Sequence, residues 1–489
     1  MSNTITSFDT AAPGVFGDIL NIRNQARRSV KVGFLGAGYF EYWRMYPSLR
    51  DTVAADLDAV AGRLSTALSD EVVFPGMVDT LDSAEKAGRA FAQAGVDVVV
   101  IVEGTYLVDF MVLHALSHVP EARIVLFSSQ TGANVSPGDN YEATMRNSGL
   151  IGITQLSATF RKAKRPYHVV VGEITETACY QEIASIARAV RVRRLLQGLS
   201  IGQIGHVFRG MYDLECDKGS VRGILGPEVI AIQVEHLVDT WKGITDAQIA
   251  EAAAEFKPFQ IDVGNDDLNR SVKLGLAMRE LAKVYNLDAL CFLGQHYIEK
   301  LTGAPARIGA SMLMSQERMI VACEGDVGGL IMMQILQELT GNTPMQLEWG
   351  QFDLANNALF LLGHGICSPD VAKSSADVTL TATPEEWGFQ GHGVNWQLIL
   401  KPGVVTMGHF ISTPTGWQML ISQGESIDFP CLPCSEIHAM VKVKTPVRDY
   451  IRRLIEHGVT HHVIVAHGDV TKELELLADM MGVEKFIAS

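Results

Sequence analysis

The sequence predicts an α/β protein: two successive Rossmann-like domains with parallel sheets, followed by a mainly β, barrel-like C-terminal domain. Three observations carry this reading. Short β-rich apolar runs alternate with helical spacing from Val30 to about Gly172, the alternation resumes from Tyr180 to Cys323, and beyond that strand-like runs crowd together between Gly and Pro turns. The chain has 489 residues. At roughly 150 residues per domain, three domains fit, each large enough to bury its own core. The expected divisions are 1–172, 173–325 and 326–489.

In the first stretch Val32–Leu35, Val98–Val102, Ile124–Phe127 and Val169–Val171 read as buried strands, with helical spacing over Thr52–Leu68 and Ser83–Ala94. In the second, Tyr180–Leu196 reads as a helix with a basic last turn, Leu199–Ile204 and Val229–Val234 as strands, and Asp246–Glu255 and Leu268–Val284 as helices. Strands at Ala289–Phe292 and Met319–Cys323 close it. A helix at about Leu330–Thr340 leads into strands Ala358–Leu362, Asp377–Thr381, Trp396–Leu400, Val404–Phe410 and Trp417–Ile421. Val447–His457, a strand His462–Ala466 and a helix Val470–Met480 end the chain, and no repeat or low-complexity linker interrupts it.

Composition narrows the function. Apolar residues make up 47% and charged residues 19%, the balance of a folded, enzyme-sized protein. Asp and Glu number 55 against 40 Lys and Arg, a net charge of −15 that argues against nucleic acid or an anionic membrane as partner. Met1–Asn24 is polar and broken by Pro13, with no signal-peptide pattern, and the longest apolar runs fall far short of a membrane span. Seven scattered cysteines do not make a disulfide framework. A cytoplasmic protein is expected.

Two motifs are decoys. Val32-Gly33-Phe34-Leu35-Gly36-Ala37-Gly38 resembles the start of a dinucleotide fingerprint, but Glu41 stands where the third small residue belongs, and Tyr39, Phe40, Tyr42 and Trp43 crowd the turn. A glycine turn presenting aromatic rings to a polyhydroxy ligand is the better reading. Cys431-Leu432-Pro433-Cys434 has no second Cys pair to complete a zinc site.

The informative features lie further along. Glu324 ends an apolar strand at the glycine-rich turn Glu324-Gly325-Asp326-Val327-Gly328-Gly329 before a helix, where α/β sheets gather active sites. Leu347-Glu348-Trp349-Gly350-Gln351-Phe352-Asp353 follows, then Leu362-Gly363-His364-Gly365, then His461-His462 at the start of an apolar strand. Singly, each has a bland explanation: a carboxylate favouring a helix N-terminus, a solvated edge residue, a satisfied core histidine. Two carboxylates and two histidines at strand ends and glycine turns together suit a divalent cation such as Mn²⁺ or Co²⁺, with Mg²⁺ and Zn²⁺ as rivals.

These motifs, in this order and at these separations, resemble the L-arabinose/L-fucose isomerase superfamily, and more closely its arabinose isomerase branch. The resemblance implies a metal-dependent aldose–ketose isomerase that works on a free monosaccharide through a cis-enediol. Mn²⁺ would be held by Glu324, Glu348, His364 and His462, with His461 as the alternative to His462 and Asp353 to Glu348. Glu324 and Glu348 would be the catalytic acid and base. The loop Ser128-Ser129-Gln130-Thr131-Gly132-Ala133-Asn134 is similar to one that contributes sugar contacts, with Ser128 where the arabinose enzymes carry His. Together with Tyr39, Phe40, Gln130 and Met211, Ser128 completes the expected substrate contacts. A homo-oligomer, a hexamer by resemblance, is expected. Two other readings remain: a non-catalytic sugar-binding protein on the same fold, and an NAD-dependent oxidoreductase if Gly36–Gly38 binds nucleotide.

Overall fold

A computed structural model describes residues 29–69, 71–293, 295–385 and 392–488. The reading of Met1–Asn24 therefore lies outside the described residues. By packing, the chain divides into two compact units, the division falling between Arg191 and Val192.

The first unit holds a four-stranded sheet of β1 (Val32–Ala37), β2 (Val98–Glu103), β3 (Arg123–Gln130) and β4 (Tyr167–Glu173), in that order and all parallel. Every residue of β1 and β2 is buried, which is why these strands read as unbroken apolar runs and not as alternation. The glycines of the false fingerprint serve packing. A Cβ on Gly33 would meet Phe91 at 2.9 Å, and one on Gly36 would meet Leu57 at 3.0 Å, so both let helices press on β1. The aromatic turn is a short helix, Phe40–Met45, with the Tyr39 ring packed against Phe40, Tyr42 and Tyr106.

The second unit begins with another parallel sheet, β5 (Ser200–Ile204), β6 (Glu228–Ile232), β8 (Ala289–Phe292) and β9 (Ile320–Ala322), ordered β6-β5-β8-β9. The strand order reverses between β5 and β8, which makes their carboxyl ends a topological switch point. The run Val229–Val234 stops sooner as a strand than the sequence suggests, because Val234 opens the helix Val234–Gly243.

A ten-stranded sheet follows, made of β7 (Gln260–Ile261), β10 (Met345–Asp353), β11 (Ala358–Leu362), β12 (Thr379–Ala382), β13 (Val394–Ile399), β14 (Gly403–Thr413), β15 (Gly416–Ser426), β16 (Ile437–Lys442), β17 (His462–His467) and β18 (Glu484–Ile487). Its central run β15-β14-β17-β10-β11-β16 closes on itself, because Glu425 and Ser426 of β15 pair with Lys442 and Val441 of β16. The result is a six-stranded antiparallel barrel, with β18 added beside β15 and β13-β12-β7 beside β16.

The parallel sheet and the barrel share one hydrophobic core running from Val192 to Ala488. The helix Val327–Thr340 lies inside it, packed against β9, β14 and β17, and is buried without a break from Val327 to Gln337. A helix covered on all sides has no polar face to keep, and its sequence is accordingly apolar but for Gln334, Gln337 and the last-turn Glu338 and Thr340. The same core encloses an ion pair between Arg307, on the helix Arg307–Glu317, and Glu436 just before β16.

Candidate active site

The turn after β9 sets the first carboxylate. Glu324 takes a left-handed conformation (φ 61°), followed by Gly325 (φ 75°). Only glycine fits the second position: a Cβ there would meet the carbonyl oxygen of His206 at 2.8 Å and Val207 at 2.8 Å. A non-glycine residue in this region costs on the order of 1 kcal/mol or more. Bending this way, the chain turns Glu324 toward the barrel and leaves Asp326 to cap the helix Val327–Thr340, its Oδ1 accepting from Gly329 N at 2.7 Å. The cap is thus Asp326 and not Glu324.

The barrel supplies the rest. Glu348 on β10 lies in register between His462 of β17 and Leu362 of β11, so Glu348 and His462 are cross-strand neighbours. His364 follows two residues after the end of β11. A bulge at Gly350 then breaks the β10–β11 register just beyond Glu348.

Around Glu324 three imidazoles converge. His462 Nε2 is 3.1 Å from Glu324 Oε2, His461 Nε2 is 3.7 Å from the same oxygen, and His364 Nε2 is 3.5 Å from Oε1. His364 Nε2 also lies 2.8 Å from Glu348 Oε1. Donor atoms of Glu324, Glu348, His461 and His462 all fall within 4.8 Å of one another. His364 bridges the two carboxylates, while His461, left open beside His462 by the sequence, reaches the cluster as well. Asp353 stays out of it: its carboxylate accepts from the backbone of Ala355 and Asn356 in the turn after β10.

A further layer orients the histidines. Nδ1 of His462 is 2.8 Å from Asp326 Oδ2, which also meets His409 Nε2 at 2.9 Å and Gln346 Nε2 at 3.3 Å. Because Nδ1 faces a carboxylate, Nε2 is turned to Glu324. His461 is held the same way: Asp213 accepts from both its backbone N (3.0 Å) and its Nδ1 (2.6 Å). Its Nε2 is buried with no hydrogen-bond partner. Asp213, His409 and Gln346 were not singled out from the sequence. Asp213 lies two residues after Met211, and its carboxylate is the one signal the sequence offers for it.

Charge balance follows from these contacts. Burial raises the carboxyls of Glu324 and Asp326, but the facing imidazoles outweigh it and hold both well below the usual carboxylate range. Glu348 is lowered too, by His364 against its own burial. Burial pulls the histidines down, yet the hydrogen bonds they donate to Glu324 and Glu348 raise His364 to about 10, and those donated to Asp326 and Glu324 raise His462 to about 9. Two carboxylates this close need positive charge between them. Either imidazolium or a bound cation provides it.

The expected substrate contacts fall in different places. Met211, half-buried, precedes the turn Tyr212–Leu214 that carries Asp213. Ser128, buried on β3, Gln130 at the end of β3, and Tyr39 and Phe40 belong to the first unit. There Gln130 lines a cavity of about 570 Å³ with Asn134, Asn140, Arg146 and Asn147. Cys431 and Cys434 are free thiols, apart from the cluster.

The carboxylate–imidazole cluster lies where the turn after β9 meets the barrel strands β10 and β17, and comparison with known proteins supports an enzyme, a sugar isomerase. The chain is 26% identical to the sulfoquinovose isomerase of Alkalicoccus urumqiensis over 328 residues, which covers 66% of this chain and 73% of the relative. It is 23% identical to the enzyme of that name from Priestia megaterium (70% and 76% covered), and 23% identical to that from Clostridium sp. strain MSTE9 (64% and 70%). No family model matches the chain. The names differ from the arabinose and fucose branch that the motifs resemble; the sugar isomerase class is common to both.

Proposed function

We propose that the protein is a metal-dependent isomerase that interconverts a free aldose and its 2-ketose through a cis-enediol, and that its substrate is a sulfonated hexose. The observation that carries the reaction is the convergence of Glu324, Glu348, His461 and His462 within 4.8 Å of one another, with His364 against both carboxylates. The substrate class rests on the names of the relatives. Ser128, where the arabinose enzymes carry His, fits a pocket that differs from theirs.

The donor set suits a divalent first-row cation: carboxylate oxygens, imidazole nitrogens, and a buried Nε2 of His461 with no partner. Glu324, Glu348, His364 and His462 would hold it, with His461 as a further donor. Bound there, such an ion supplies the Lewis acidity that makes a proton beside a carbonyl removable. Glu348 and Glu324, held ionised by the facing imidazoles, would take the proton from C2 and return it to C1. Asp326 and Asp213 keep His462 and His461 in the tautomer whose Nε2 faces the centre. The glycines of β1 are occupied with packing, which removes the motive for the nucleotide alternative.

The deciding experiment is ketose formation from sulfoquinovose, L-arabinose, L-fucose, D-galactose and D-arabinose, after chelation and again with Mn²⁺ restored. Activity should vanish on chelation, return with Mn²⁺, and be greatest on the sulfonated sugar. No ketose from any of them with Mn²⁺ present would sink the reaction; L-arabinose leading by a wide margin would sink the substrate. Among the described residues no helix is long and apolar enough to cross a membrane. A cytoplasmic homo-oligomer, the hexamer of the resembled family, completes the proposal and is checked by light scattering.

A further inference from the structure

The first unit carries a second group of metal-ligating atoms. The helix Leu81–Ala94 presents Glu85, and the neighbouring helix Asp109–Leu116 presents His114, with His118 one turn on. Both imidazoles aim their Nε2 at a single oxygen, Glu85 Oε2, at 2.7 Å from His114 and 2.9 Å from His118. The other oxygen, Oε1, is taken by Arg89 at 2.5 Å, so the carboxylate is held with one face fixed and the other turned to the histidines.

Residue choice supports more than a chance contact. His114 in the last turn of its helix and His118 in the turn that follows stand four residues apart and can chelate a single ion. Gly88 sits inside the helix Leu81–Ala94, where glycine is unfavourable, and a side chain there would strike the His118 ring and the carbonyl oxygen of Ala115. The sequence thus keeps a gap for that ring. All three donor groups are partly exposed, so an ion can reach them.

We propose that Glu85, His114 and His118 form a site for a borderline-soft divalent cation, with Zn²⁺ the ion its ligands fit best. Two imidazole nitrogens and one carboxylate oxygen are a zinc set that leaves a fourth, solvent position open. Mn²⁺ and Mg²⁺, which favour oxygen-rich surroundings, fit it less well. Binding exchanges two Nε2–H···O hydrogen bonds for two Zn–N bonds and one Zn–O bond, and each ring proton moves to Nδ1 through solvent. Tetrahedral zinc at roughly 2.0–2.2 Å from each ligand needs the nitrogens about half an ångström further from the oxygen than they stand, within reach of surface side chains.

The test counts zinc on the full-length protein by elemental analysis after dialysis against micromolar Zn²⁺. The parent should hold one more equivalent than His114→Ala/His118→Ala. Glu324→Gln/His462→Gln should keep that equivalent, which separates it from ions bound at the isomerase cluster. Glu85→Gln, which preserves the hydrogen-bonding shape, should weaken the site more than about tenfold, beyond the lower bound for outer-layer changes. Equal zinc in the parent and the double-histidine variant overturns the site and leaves the trio a hydrogen-bonded staple between helices. Should that variant fail to fold, unchanged zinc affinity in Glu85→Gln overturns it equally.

Discussion

Glu324 holds its place through a backbone conformation that its own side chain disfavours, and the charges it gathers make the site sensitive to pH. His364 and His462 stand at about 10 and about 9, above their ordinary 6.5. A raised histidine contributes stability that is complete below its unfolded value and is lost as pH climbs through the folded value. Metal-free protein should therefore lose thermal stability between about pH 6.5 and 10, followed by calorimetry; a melting temperature flat across that window contradicts the charge pattern. The same protons must leave when a cation binds, so calorimetric Mn²⁺ titrations at pH 7 in buffers of different ionisation heat should show proton release. Asp213→Asn should lower Mn²⁺ affinity by about 10–100-fold by freeing the tautomer of His461, read from electron paramagnetic resonance titration. Unchanged affinity would make Asp213 a purely structural contact. Within the candidate cluster, Glu324, His364 and His462 were legible because each stands at a glycine turn or strand end, whereas Glu348 lies in mid-strand and was marked out only by the order of the motifs. Asp213, Gln346 and His409 were not, because their importance comes only from what the fold sets opposite them.

At the level of elements, legibility tracked burial on both faces. Val98–Glu103, Ala289–Phe292 and Ala358–Leu362 announce themselves as apolar runs. Met345–Asp353 does not: Gln346, Glu348 and the bulge at Gly350 break its period, and those are the features the site uses. The helix Arg307–Glu317 was missed for a related reason. It is buried from Arg307 to Met314 and includes an arginine, a glycine and a serine that no amphipathic pattern accommodates. Its buried pairing with Glu436 fastens it to the start of β16. Glu436→Ala removes a buried charge that faces Arg307 and should cost about 3–5 kcal/mol, measured by chemical denaturation. A loss under about 1 kcal/mol, the range of surface pairs, would show that Arg307 finds other company.

At the scale of the whole molecule, the sheets are legible in the sequence. Strand counts and alternation announce three sheets. That the parallel sheet and the barrel share one core depends on the helix Val327–Thr340 packing against strands of both, which a mainly apolar segment does not reveal. The closure of β15 on β16 has a consequence for time as well as shape. β10 and β17, which carry Glu348 and His462, are inner members of a ring with no free edge, each bonded on both sides. In hydrogen–deuterium exchange the amides of Leu347, Val463 and Val465 should rank with the slowest in the chain, opening only with global unfolding. Faster exchange there than in β4, with its exposed Val169 and Val171, would mean the ring opens locally. If it does not, Glu348 and His462 keep the same spacing for the lifetime of one folded molecule, and any ion the proposed site took up would meet the same cage each time.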